Sequence, residues 1–147
     1  MATSVWETAR LDTVELIEAI TPTYDADKAF RCIELPRRPG ARARDRQFTA
    51  HKSEPIGDVA VFGNNEQQLG KRLMVEVSYT PADDVNDRMH QDELDIVNAI
   101  SNSGTYPAGL RVRQVARDQV EPDFRDDGSI VKTIPIDHIF RESVTLG

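Results

Sequence analysis

Few side chains in this sequence have the type and spacing that catalysis or metal binding requires. The histidines His51, His90 and His138 are scattered, and no two have the spacing of metal ligands. The single cysteine, Cys32, would need an electropositive, partly exposed setting to act as a nucleophile, so we interpret it as a buried structural thiol. Glycine-rich phosphate loops, nucleophile elbows and cysteine pairs are missing from the sequence. We therefore predict no catalytic residue, no metal ligand and no cofactor.

A run of aspartates after the central part of the chain could be mistaken for a cation-binding loop. The run lacks the glycine and the terminal bidentate glutamate of an EF-hand. Helix capping and solvation explain its members: Asp83, Asp84, Asp87 and Asp92.

The strongest candidate for a binding role is a cluster of arginines around Pro39-Gly40. This segment has no apolar periodicity, which predicts a long exposed basic loop over residues 36–47. Dense guanidinium groups bind anions, so DNA phosphate and a carboxylate-rich protein surface are both possible targets, and a merely solvated loop is the third alternative. No aromatic residue stands between the arginines to stack on bases, which favours the protein surface. The cluster consists of Arg37, Arg38, Arg42, Arg44 and Arg46.

In a homo-oligomer, the natural target for this loop is an acidic helix of the adjacent copy. Residues 29–52 carry 7 basic and 2 acidic groups, whereas residues 83–103 carry 1 basic and 6 acidic groups. The carboxylates of the predicted interface are Asp83, Asp84, Asp87, Asp92, Glu93 and Asp95.

Length and composition predict one domain over residues 1–147. The chain has 147 residues, 39% of them hydrophobic, and 18 basic against 25 acidic side chains. A chain of this size can build a core without metal or disulfide bonds. It has no apolar run long enough to span a membrane and no signal peptide at its start, so we expect a cytosol-like compartment. A pI near 4.9 argues against a broad nucleic-acid surface.

Two helices are expected. The first starts near Thr3 or Ser4, with Glu7 placed as in a capping box, and ends at Ile20 before Pro22. The second spans residues 85–101, with Asp83 and Asp84 as its cap and a stop signal at 102–104.

Four main strands are predicted around these helices. They cover residues 29–35, 71–80, 110–120 and 130–142, with shorter pieces near Phe48 and at 58–62. In the last strand the alternate residues from Ile130 to Phe140, including His138, fall on one face, and Pro135 requires a sheet edge or a bulge. The resulting fold class is α+β: an antiparallel, possibly mixed sheet with both helices on one face and a long exposed loop after the first strand.

The order of these features resembles the tail terminator (tail completion) proteins of long-tailed bacteriophages. The similarity extends over nearly the whole chain, through the leading helix, the apolar strand 73–79 and the acidic helix 92–100. Its most specific part is the ending, Asp127-Gly128 followed by Thr133 to Glu142. The arginine loop has no counterpart in this resemblance.

The resemblance implies a hexameric ring on the head-proximal end of the tail tube. Such a ring ends tube polymerisation, docks the head's connector and lets DNA pass as cargo through its channel, where an acidic lining would repel the DNA. The partners implied are further copies of the chain, the tail tube protein and a head-completion (stopper) protein, and the location is the head-tail junction of the virion. Two alternatives stay open: another head-tail connector component, and a small α+β ligand-binding or enzyme domain.

Overall fold

The fold consists of two helices and a curled sheet. The computed structural model describes residues 3–33, 44–56, 60–62, 66–116 and 120–143. In chain order the elements are α1 (Val5–Glu18), β1 (Arg31–Cys32), β2 (Gln47–Pro55), β3 (Ala60–Phe62), β4 (Glu66–Tyr79), α2 (Val85–Ser101), β5 (Leu110–Val115), β6 (Asp123–Phe124) and β7 (Ile130–Ser143). This confirms the predicted α+β class. Neither of the two helices is long and apolar enough to span a membrane.

The sheet is mixed, with the order β1-β2-β4-β7-β5. Strand β1 is parallel to β2, and the other pairs are antiparallel. The centre is formed by β4 and β7, which pair over their full lengths from Glu66 opposite Ser143 to Tyr79 opposite Ile130. Strand β3 extends the pairing along β4, and β6 pairs with the start of β7. Because β4 occupies one side of β7, both β5 and β6 lie on its other side.

The core lies between the sheet and both helices, as predicted. The alternating residues Leu73, Val75, Val77 and Tyr79 of β4 are fully buried. Opposite them, the alternate residues of β7 from Ile130 to Phe140 form the same face, which is apolar except for Lys132 and the buried His138. The helices complete this core from one side with Ala9, Val14, Ile17, Met89, Ile96 and Ile100.

The helix termini confirm one predicted cap and correct the other. Helix α1 begins after Ser4, whose hydroxyl accepts a hydrogen bond from the Glu7 amide at 3.1 Å. Helix α2 has the predicted bounds, but Asp84 makes no side-chain capping bond. Its carboxylate lies 3.5 Å from the guanidinium of Arg88 instead. A nearby cation thus replaces the backbone amides as the partner of this carboxylate.

The strand predictions are least accurate at the sheet edges. The first strand is only Arg31–Cys32, and β5 ends at Val115 rather than at 120. Strand β2 was expected only as a short piece near Phe48, and it is nine residues long. Its residues from His51 to Pro55 are all exposed, so the sequence there carries no alternating apolar signal.

Pro135 lies in the central strand β7, opposite the point at which β5 ends. Its carbonyl oxygen accepts a hydrogen bond from Ala116, just after β5 ends. The amide and carbonyl of one strand residue point to the same side, so the N–H that Pro135 lacks would point toward Ala116 and not toward β4. The prediction of an edge or a bulge at Pro135 is therefore wrong: β4 pairs with it in an unbroken register, and the missing donor falls where the pairing with β5 ends.

Gly70 lies where β4 passes closest to the end of β2. The Ile56 amide donates to its carbonyl oxygen at 2.9 Å, and a Cβ atom on Gly70 would lie 2.5 Å from the Ile56 oxygen. We expect Gly70→Ala to lower the free energy of unfolding by about 1–3 kcal/mol, because the backbone must shift. Chemical denaturation measures this change. Gly104→Ala is the matched control, since nothing lies within 4 Å of its added Cβ; equal effects at the two positions would contradict the argument.

Candidate interaction surfaces

Arg46, expected on an exposed loop, is buried and bonded to the acidic helix of its own chain. Its guanidinium is 1% exposed, and Asp92, expected on a solvated helix face, is 0% exposed. Arg46 Nε and Nη2 donate to the two Asp92 oxygens at 2.9 and 3.0 Å, which makes a bidentate pair. The sequence predicted contact between these two segments in adjacent copies. For this pair, however, the attraction acts within one molecule, so neither residue is available to an adjacent copy.

The remaining donors of Arg46 bind the turn before β1. Its Nη1 donates to the carbonyl oxygens of Asp25 and Lys28, both at 2.8 Å, and Nη2 donates to that of Tyr24. All five N–H groups of the guanidinium therefore have acceptors. The backbone of Arg46 has a φ of 59°, a left-handed conformation that is costly for a residue with a side chain. These bonds offset that cost and fix the point at which β2 begins.

Tyr79 completes the buried cluster. Its hydroxyl donates to Asp92 Oδ2 at 2.9 Å. Burial, reinforced by the neighbouring Asp92 carboxylate, raises the pKa of Tyr79 far above its usual value. The phenol thus remains a hydrogen-bond donor, and the cluster has a structural role.

Arg88 joins three carboxylates beside this cluster. Its Nη1 donates to Asp45 at 3.0 Å and its Nη2 to Asp25 at 2.7 Å, with Asp84 at 3.5 Å. Partial burial would raise the pKa of Asp45, but hydrogen bonds from Thr80 and the charge of Arg88 outweigh this effect and lower it. Arg88 thereby links the first turn of α2 to Asp45, which lies next to Arg46 near the end of the arginine segment.

The other residues of the predicted interface have different positions. Asp95 accepts from the amide and hydroxyl of Thr23, both at 2.9 Å, and Glu93 lies 3.7 Å from Lys132. Asp83, Asp87 and Arg44 are exposed. The remaining arginines lie outside the described residues: Arg37, Arg38 and Arg42. Arg46 and Asp92 are therefore excluded from the predicted interface, whereas Asp83, Asp87 and Arg44 are still accessible to a second copy.

The two edges of the sheet differ in charge. The edge formed by β1 and β2 presents Arg31 and Arg44 as exposed side chains, together with the exposed carboxylates of Asp27 and Glu54, and the arginine segment, residues 36–47, joins these two strands. At the opposite edge, residues 121–127 around β6 contain four carboxylates and one arginine, and all but Pro122 are exposed. These edges are four strand spacings apart, about 19 Å along the sheet. The sequence analysis overlooked this second acidic surface, although the local excess of carboxylates over basic residues could have indicated it.

His138 lies on the core side of its strand, as predicted. It is fully buried, with Nδ1 3.0 Å from the Ile136 oxygen and Nε2 2.8 Å from the Thr13 hydroxyl oxygen. A carbonyl oxygen only accepts, so Nδ1 carries the proton, and the unprotonated Nε2 and the Ala9 carbonyl oxygen at 3.0 Å are alternative acceptors for the single hydrogen of the Thr13 hydroxyl. Burial lowers the pKa of His138 to about 4, and the nearby Arg113 charge acts in the same direction. The neutral ring is sealed in the core by an edge contact with Trp6, so it has no access to a substrate.

The face of the sheet away from the helices holds an open groove of about 760 Å³. Its charges are paired across strands: Lys52 lies 3.0 Å and Arg125 3.6 Å from Glu76. Such a groove offers a polar, largely neutralised surface and no set of converging reactive groups.

In the part of the chain that the structure describes, no three histidine, cysteine, aspartate or glutamate side chains are grouped as metal ligands would be. Cys32 is half-buried and packs against the core.

Comparison with protein-family models and with curated proteins finds no match for this sequence.

Proposed function

We propose that this chain is a tail terminator protein of a long-tailed bacteriophage. Six copies form a ring that caps the head-proximal end of the tail tube, ends tube polymerisation and provides the surface to which the head is joined. The observation that carries the proposal is the pair of unlike sheet edges at the two ends of the strand order, one with the exposed arginines Arg31 and Arg44 and the other with four exposed carboxylates.

A closed ring requires heterologous contacts, in which one surface of a subunit meets a different surface of the next. A single self-complementary surface, used by both subunits, would form a two-fold dimer instead. Arg31 and Arg44 at the β1–β2 edge are complementary in charge to the carboxylates at the β6 edge, and the two edges lie at opposite ends of the strand order, as this geometry needs. Salt would weaken such a contact, because its charges are exposed.

The residues behind the family resemblance support a structural role. The strand from Thr133 to Glu142 lies in β7, at the centre of the sheet, where Ile134, Ile136 and Phe140 are buried. These side chains build the core rather than a reactive site. In the proposed ring, the tube protein and the head-completion protein bind the axial faces, DNA passes only as cargo, and the assembly belongs to the head-tail junction of the virion.

Tube capping tests the proposal. We expect the protein, added to the polymerising tube protein of the same virion, to stop elongation and to appear at one end of each tube in electron micrographs. The reason is that a bound ring covers the end surface of the tube, to which the next ring of tube protein would otherwise add. Serum albumin at the same concentration is the control for nonspecific arrest. Unchanged tube lengths and bare tube ends would contradict the proposal and favour a head-completion component, which would bind the head's connector instead.

A further inference from the structure

Phe124 is the most exposed large hydrophobic side chain in the described part of the molecule. It is 69% exposed, against 47% for Tyr24 and 42% for Leu94. It lies in the two-residue strand β6, opposite Ile130 of β7, and this backbone pairing holds it at the edge of the sheet. An aromatic side chain held in this way is typical of the anchor residues of protein interfaces, which lose their water on binding.

The backbone around Phe124 is well defined. After β6, the Arg125 amide donates to the Ser129 oxygen at 2.9 Å, and Gly128 turns the chain with a φ of 88°. The Asp127 carboxylate accepts from the Ser129 amide at 2.9 Å. A tight turn therefore presents Phe124 on a rigid hairpin, which reduces the entropy cost of docking.

Carboxylates surround this aromatic side chain. Asp123 is 70% exposed at the side chain, and Glu121 and Asp126 are also exposed. The one cation of the hairpin, Arg125, lies 3.5 Å from Asp123 and 3.6 Å from Glu76. The hairpin thus combines an apolar centre with an acidic rim, and its partner needs an apolar spot with a basic rim.

The opposite edge of the same domain combines partly exposed apolar side chains with exposed arginines; of the two exposed aspartates near them, Asp25 and Asp27, the first is already paired with Arg88 at 2.7 Å. Tyr24 is half-exposed there, and its carbonyl oxygen accepts from Arg46 at the start of β2. Ile33 is partly exposed and donates to the Phe48 oxygen at 2.8 Å, so it lies on the β1 edge. Arg31 and Arg44 are exposed on the same edge.

We propose that Phe124 anchors the contact between adjacent copies by packing against the β1–β2 edge of a second copy, next to Tyr24 and Ile33. The carboxylates around Phe124 face Arg31 and Arg44 of that copy. The contact is heterologous, so each subunit uses its hairpin once and its β1–β2 edge once. This inference rests on the proposed ring and names the surfaces that close it. It replaces the middle of α2 as the acidic surface, because Asp92, Glu93 and Asp95 have partners within their own chain.

The test uses two variants of the full chain and their mixture. Phe124→Ser removes the hairpin anchor, and the double variant Arg31→Glu with Arg44→Glu reverses the charge of the other edge. All three side chains are exposed, so the monomer should fold as before, which circular dichroism checks. Leu94→Ser is the matched control, because it removes an exposed apolar side chain from another surface.

Light scattering and sedimentation of each variant provide the readout. We expect each of the two edge variants to associate with itself at least tenfold more weakly than the wild type, while Leu94→Ser stays unchanged. A mixture of the two retains one intact pair of surfaces, the hairpin of the charge-reversed copy and the β1–β2 edge of the Phe124→Ser copy. The mixture should therefore form heterodimers and no rings.

The outcomes separate this inference from the proposed function. If the Phe124→Ser variant formed rings as readily as the wild type does, the anchor role would be overturned, while the proposed ring itself would stand. Equal loss with Leu94→Ser would also overturn it, since the effect would not be specific to the hairpin. A wild-type chain that is monomeric at every concentration would overturn the contact between copies, whereas the proposed function is judged separately by tube capping.

Discussion

We expect Asp92→Ala to be among the most destabilising single substitutions in this chain. It removes both acceptors of the buried Arg46 Nε and Nη2 bonds and the acceptor of the Tyr79 hydroxyl. Removing one partner of a buried ion pair leaves a charge without compensation, which costs about 3–5 kcal/mol. Urea denaturation of the two proteins at neutral pH measures this loss in the free energy of unfolding.

Two further variants make this prediction specific. Asp87→Ala removes an exposed carboxylate from the same helix and should change stability by no more than about 0.5 kcal/mol. Tyr79→Phe removes one hydrogen bond to the same carboxylate and should cost about 1–2 kcal/mol. If Asp92→Ala were as mild as Asp87→Ala, the pair with Arg46 would not be desolvated as the structure shows.

The stability of the protein should fall as the pH falls from 6.5 toward 4, because His138 is neutral when buried. The unfolded chain binds a proton at His138 near pH 6.5, whereas in the folded chain its pKa is lowered to about 4. The stabilising contribution is therefore complete above pH 6.5 and is lost progressively between these values. At pH 5 the expected loss is about 2 kcal/mol relative to neutral pH. Denaturation curves at pH 7.5, 6, 5 and 4.5 measure it.

His138→Gln removes the titrating group and should flatten the pH dependence in this range, whatever its effect on stability at neutral pH. His90→Gln is the matched control, because His90 is exposed and should leave the slope unchanged. The carboxylates with lowered pKa values, Glu7 and Asp45, lose their contributions only at lower pH, so they do not mask the result. A variant lacking His138 that kept the full slope would contradict this assignment.

The sequence predicted the elements that carry a strong period. Strand β4 has four buried apolar residues at alternate positions, and α2 begins after a proline and two aspartates, so both were located. Strand β2 was predicted too short because its second half is exposed on both faces, and period-2 alternation arises only when one face is buried. The strand order could not be predicted from the sequence, because the pairing of β7 with both β4 and β5 depends on contacts between residues that are distant in the chain.

The predicted interface was only partly accessible to sequence reasoning. Opposite charges on the arginine segment and the acidic helix indicate that the two attract each other, but not whether they do so within one chain or between copies. The structure shows the first arrangement for Arg46 and Asp92, whose burial could not be inferred from residue types that are usually exposed. The exposure of Phe124 was not predicted either, because a phenylalanine in a strand is expected to face the core.

The ion pairs and hydrogen bonds within the chain also determine which charged side chains remain available to a second copy. Arg46 and Arg88 hold the turn before β1, the start of β2 and the start of α2 together. The surface around Arg31 and Arg44 therefore rests on a rigid base. The charges left for a second copy include those at the two edges of the sheet, which the proposed ring uses, and the exposed Asp83 and Asp87 of α2 and the turn before it.

The solution mass of the purified protein, measured by light scattering over a range of concentrations and salt strengths and followed by electron microscopy, tests the ring most directly. Six copies of the 16.5 kDa chain make a particle of about 99 kDa, and we predict six-fold rings of that mass that dissociate as salt increases. A mass that remains 16.5 kDa at all concentrations, with no rings on tube ends, would contradict the account.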